Sequence, residues 1–220
     1  MTKLFRLFRK IFTIFLILLL RVYRQNKISI YFAASILFIS SLVGYFGHES
    51  LINSGFTEPA SYIKYEVTKV SAFQYFLHNI RVTIRIIIHG VLTIGVGAGV
   101  HLLLNGLIIG ETIFVALEFM SLSEVLFRII PHGIFEIPAI ILSGTGGFIT
   151  TKLFIDLLKS KKVNIFTELK NIKNIIIVII ILLFLAGIVE SSVNQYKGGN
   201  TKYEKKSGSN TNIFVQPNNW

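Results

Sequence analysis

Apolar residues along this chain gather into long blocks separated by polar segments. The blocks run over Ile28–Gly47, Asn79–Leu104, Leu107–Met120, Glu124–Phe148 and Asn174–Val193. Apart from the third, each approaches the ~20 residues that carry a helix across a hydrocarbon core, so the pattern predicts five membrane spans, the third a short one. The expected fold class is all-α, a polytopic transmembrane helical bundle. Asn105-Gly106 is a turn dipeptide and is read as the link between spans two and three. Whether those two spans cross fully or form a re-entrant hairpin stays open.

Ahead of the first block, Lys3, Arg6, Arg9, Lys10, Arg21, Arg24 and Lys27 surround the apolar run Ile11–Leu20. Arg21 follows that run where a cleaved signal peptide would carry small residues, so no cleavage is expected. The run is also too short for a span. It predicts a basic amphipathic helix, lying in the headgroup plane of an anionic leaflet or packed on the bundle. The chain thus divides into an amphipathic helix (1–27), a five-span domain (28–193) and a tail (194–220). Gly, Asn, Ser and Lys dominate the tail, which is expected to be mobile, although its apolar tip, Ile213–Val215 and Trp220, offers something to dock.

Composition excludes a soluble enzyme: 52% of the residues are hydrophobic, 15% are charged and the mean hydropathy is +0.66. Lys and Arg outnumber Asp and Glu by 22 to 11. In a membrane chain that excess is read by position, as orientation, and implies no nucleic acid. Basic residues cluster in the first 27 positions and again over Ile149–Lys173, which places both regions in the cytoplasm. His48–Phe76 and the tail then lie outside. The chain has no cysteine, so disulfides and thiolate metal sites are excluded.

Ionisable residues inside the spans are costly and ask for an explanation. Span two holds Arg85, His89 and His101, span three Glu111 and Glu118, and span four Glu124, Arg128, His132 and Glu136. At ~1.5 Å per residue, Arg85 and Arg128 lie roughly 6 to 9 Å from the outer ends of their spans, near Glu118 and Glu124. His89 and His132 lie roughly 12 to 15 Å deep, with Glu111 and Glu136 close to that level. The expectation is an interior polar cluster of Arg85, His89, Glu111, Glu118, Arg128, His132 and Glu136. It can serve as polar glue between helices, as a proton or ion relay, or, with His89, His132 and Glu136, as a metal site. No HExxH, G-x-S-x-G or phosphate-cradling loop accompanies it, so neither an enzyme nor a resident cofactor or metal is expected. Gly95 and Gly99 form a GxxxG that predicts close helix packing, and Pro131 and Pro138 predict a break in span four.

PHGIFEIPAIILSGTGGF (131–148), with FLHNIRV (76–82) and LLLNGLIIGE (102–111), resembles the stage II sporulation protein M family of bacterial integral membrane proteins. The positions carried over by motif are Asn79, Asn105, Gly106, His132, Gly133, Glu136 and Pro138. By this resemblance the chain is expected to be a non-enzymatic membrane scaffold that recruits envelope partners, as the family's namesake anchors wall-degrading proteins. The rival expectation, also drawn from family relatives, is a permease or immunity subunit for a circular bacteriocin-like peptide, working with an ATP-driven partner. Expected partners are therefore the bilayer with its anionic inner leaflet, and envelope membrane proteins or an ATPase subunit. A homo-oligomer is compatible with either reading.

Overall fold

The computed structural model describes residues 3–54, 72–160, 162 and 164–197. All of its regular elements are helices: α1 (Lys3–Phe46), α2 (His48–Asn53), α3 (Ala72–Leu92), α4 (Val96–Phe119), α5 (Leu122–Leu158) and α6 (Ile165–Lys197). Most of the expected outer loop, and the tail beyond 197, lie outside the described residues.

Four helices have the length and apolarity to cross a bilayer, through Phe12–Phe46, Val96–Phe119, Gly133–Leu158 and Ile165–Val189. The fifth long helix, α3, packs against α4, α5 and α6, and its 21 residues measure about 32 Å. Its weaker apolar character comes from His78, Arg81, Arg85 and His89.

The basic N-terminal segment is helical and continuous with the first span. Nothing in RVYRQNKISI (21–30) is a glycine or proline, so no residue there interrupts propagation. α1 measures about 66 Å, roughly twice a hydrocarbon core. Val22 is fully buried, and Phe15, Leu18 and Leu19 pack against the same cluster, which holds Ile175, Val178 and Leu183 of α6. The basic segment is therefore packed on the bundle around Val22 and Asn26, while Phe5, Phe12 and Ile14 nearer the start are exposed. Asn26 and Asn171 exchange amide hydrogen bonds of 2.9 and 2.8 Å across the α1–α6 contact.

Contacts along the helices give their directions. Gly106 meets Leu37 and Ser40, and Gly110 meets Ser41 and Tyr45, so α1 and α4 run parallel. Leu102 faces Gly144 and Ala98 faces Gly147, which makes α5 antiparallel to α4. Ile175 beside Gly146 and Lys152 beside Glu168 do the same for α6 against α5. Hence α1, α4 and α6 point one way, and α3 and α5 the other. α5 touches every other long helix and is the centre of the bundle.

Two boundaries differ from the sequence reading. The chain reverses between spans two and three at Thr93–Gly95, twelve residues before Asn105, and Asn105-Gly106 lies inside α4. The turn uses a left-handed Ile94 (φ 53°) followed by Gly95 (φ 90°). It is pinned by Gly95 N–H donating to Gly90 O (2.6 Å), by the Thr93 hydroxyl accepting from Gly97 N–H (2.7 Å), and by the Thr151 hydroxyl donating to Ile94 O (2.7 Å). The second difference is in α5, which runs helical through both Pro131 and Pro138. A membrane helix retains prolines when its neighbours and local adjustments accommodate the lost donor.

Glycine packing also falls elsewhere than expected. Gly95 belongs to the turn, and a Cβ at Gly99 would meet nothing within 4 Å. The close seam is between α1 and α4, where a Cβ at Gly44, Gly106 or Gly110 would fall on the backbone of the facing helix. A second tight point sets Gly90 of α3 against Gly147 of α5.

Candidate functional site

The shift of the α3–α4 turn rearranges the depth of every polar residue on those helices. His89 stands one turn before the end of α3, far from the end where the sequence reading measured its depth. Its Nδ1 lies 2.6 Å from Nε2 of His101, across the turn, and the two rings stack with centroids 4.8 Å apart. One ring nitrogen must donate and the other accept, so this contact holds a single proton between two imidazoles. Thr93, whose hydroxyl donates to His89 O (2.5 Å), ties the pair to the reversal.

Glu111 finds its partner at the opposite end of the bundle. His48, the first residue of α2, is 6% exposed, stacks on Phe114 (4.5 Å), and places Nδ1 3.6 Å from Glu111 Oε1. At that separation the contact is an ion pair when the imidazole is charged, and is too long for a hydrogen bond. The pattern of spans places His48 at the start of the polar segment outside the membrane. The parallel course of α1 and α4 instead folds it over the α4 face that carries Glu111.

Of the remaining expected members, Glu118 and Arg85 lie apart. Glu118 is exposed near the end of α4, and Glu124 closes a capping box with Ser121 at the start of α5, accepting from Ser121 N–H at 2.9 Å. Arg85 is exposed on α3. Counting back from the His89–His101 contact sets Arg85 level with Asn105, about 20 Å along the axis from Glu118. Glu136 is partly buried on α5, and the side chains of Arg128 and His132 lie outside the described residues. The structure thus joins His89 to His101 and Glu111 to His48, and separates Arg85 from Glu118. Among the described residues, no group of three or more His, Asp or Glu side chains converges as metal ligands would.

The positions carried by the motif are mostly interior. Asn79 is 6% exposed, and its amide nitrogen meets no hydrogen-bond acceptor among the described residues. The Asn105 amide donates to His101 O (2.7 Å), Gly106 touches α1, Gly133 is buried, and Glu136 and Pro138 are partly buried. His48 was missed by the sequence reading, and His101 was noted without a partner. A histidine directly after the glycine that ends a span, and a second histidine twelve residues from the first across a Thr-Ile-Gly segment, are the signals that could have found them.

An α-helical bundle with four such apolar helices defines a multi-pass membrane protein. The family model for Stage II sporulation protein M matches residues 28–194, from within α1 almost to the end of α6. The chain belongs to the stage II sporulation protein M family. Comparison with curated proteins and with solved structures gave no match.

Proposed function

We propose that the protein is a non-enzymatic scaffold of the bacterial cell membrane that holds cell-envelope partners in place. The observation that carries this reading is the use of polar groups as pairwise clamps between elements. Asn26 holds Asn171, His48 faces Glu111, and His89 meets His101, each pair joining two helices. Such clamps, with the backbone-close α1–α4 seam, suit a rigid platform better than a chain of groups passing a proton or ion. Family membership supports the same reading, and the basic residues at the start of α1 and around the α5–α6 turn support a cytoplasmic N-terminus and an extracytoplasmic C-terminus.

Cross-linking in native membranes followed by affinity capture tests this role. Recovery of cell-wall hydrolases or other envelope proteins is the expected result. Recovery of none would overturn the proposal, as would recovery of an ATPase alone, which would point to export.

A further inference from the structure

The outward face of α3 carries a line of exposed cationic and titratable side chains, of which His89 is paired with His101. His78, Arg81, Arg85 and His89 recur at spacings of three and four residues, all exposed, along about 17 Å of helix. Asn79, Thr83, Ile86 and Gly90, on the other side, are buried. No carboxylate forms an ion pair with Arg81 or Arg85 among the described residues.

This line lies at membrane depth. Gly90 abuts Gly147, Ile87 borders Gly146, and the Thr150 hydroxyl donates to Gly90 O (3.2 Å), so Arg85 is level with about Gly144. Gly144 is near the middle of the apolar stretch Gly133–Leu158. Headgroups sit at the ends of such a stretch, beyond the reach of a guanidinium at its centre. Beside the line, Ile84 and Ile88 are 48% exposed each, so the face is half apolar and half cationic. That mixture suits another membrane helix that lays apolar residues on Ile84 and Ile88 and carboxylates on Arg81 and Arg85. Among the described residues, a second copy of this chain supplies no such helix: Glu111 faces His48, Glu136 is partly buried, and the exposed Glu118 is near a helix end.

We infer that the outward face of α3 is the docking site for a partner's transmembrane helix bearing carboxylates about one turn apart near its middle. This rests on the scaffold reading and supplies its recognition chemistry.

The full chain, reconstituted in phosphatidylcholine vesicles, provides the test. Because it has no native cysteine, a fluorophore at a single introduced Ser160→Cys reports energy transfer from a labelled probe. The probe is a synthetic Leu/Ala transmembrane peptide with two Glu four residues apart at its centre, compared with its Gln counterpart. The Glu peptide is expected to bind about tenfold more tightly. Arg81→Gln/Arg85→Gln should equalise the two peptides, and Arg81→Glu/Arg85→Glu should transfer the preference to a Lys-bearing peptide, which also shows that the variant is folded. Equal binding of the Glu and Gln peptides to the unaltered chain overturns the inference, as does a Glu preference that survives in the Gln variant. Energy transfer between two copies of the chain that Arg81→Gln/Arg85→Gln abolishes would assign the face to self-association. Loss of the Glu preference on adding phosphatidylglycerol would assign it to anionic lipid, and either result overturns the inference. If the peptides bind equally while envelope proteins are still captured from native membranes, the docking face is wrong and the scaffold stands. A clear Glu preference with no envelope protein captured leaves the docking face standing and removes the scaffold.

Discussion

Glycines in this bundle do different work at positions that look alike in sequence. Gly110 has the Ser41 carbonyl where its Cβ would be, whereas Gly99 has open space. Gly110→Ala should therefore force α1 and α4 apart and cost about 1 to 3 kcal/mol. Gly99→Ala should be neutral or stabilise by up to ~1 kcal/mol, since alanine loses less freedom in a helix. Thermal unfolding of the two variants in detergent separates these outcomes, and equal midpoints would contradict the seam. Gly95→Ala is expected to be worse than Gly99→Ala by about 1 kcal/mol or more, because a side chain there meets both a left-handed backbone and the Thr151 hydroxyl. The same melting experiment reads it. The GxxxG formed by Gly95 and Gly99 was legible as a pattern. Its use was not, because spacing does not report whether two glycines share a helix. The sequence holds a second such pair, Gly106 and Gly110, and that one makes the close contact.

At the scale of elements, the positions of the long helices followed from apolar length, while the α3–α4 boundary did not. Asn105-Gly106 has the composition of a turn, yet in an apolar segment a glycine equally serves close helix approach, and Gly106 is committed to α1. The true reversal depends on Thr151, nearly sixty residues away, whose hydroxyl holds the Ile94 carbonyl, and a local reading has no access to that bond. This one displaced boundary moved His89 away from Glu111 and left each with a partner outside the expected cluster. The attachment of the basic N-terminal segment to α6 was legible only as one of two alternatives. Its test is a double-mutant cycle on the Asn26–Asn171 pair. Each single change to Leu leaves a buried amide short of a partner and should cost about 1 to 3 kcal/mol. The double variant should cost less than the sum by roughly 0.5 to 1.5 kcal/mol, as for other interhelical polar pairs in membranes. Strict additivity in detergent unfolding would mean that the amide pair does not join α1 to α6.

For the molecule as a whole, the account depends on α3 crossing the bilayer although it is the one long helix among the described residues without a stretch apolar enough to mark it as a span by length and composition. An arginine facing lipid at the centre of a span costs on the order of 3 kcal/mol, and Arg85 is near that depth. Packing holds α3 among the apolar helices: Ile86 and Thr83 are buried, Gly90 touches Gly147, and the pinned turn commits α3 to run antiparallel to α4. Single cysteines introduced at Ser54, Thr93, Ser121 and Ser160, probed with a membrane-impermeant maleimide in oriented vesicles, measure this directly, since no native thiol competes. The arrangement of five alternating helices predicts that positions 54 and 121 label from one side and 93 and 160 from the other. Labelling of 54 and 93 from the same side would show that α3 does not cross, and would contradict both the bundle and the docking face assigned to it.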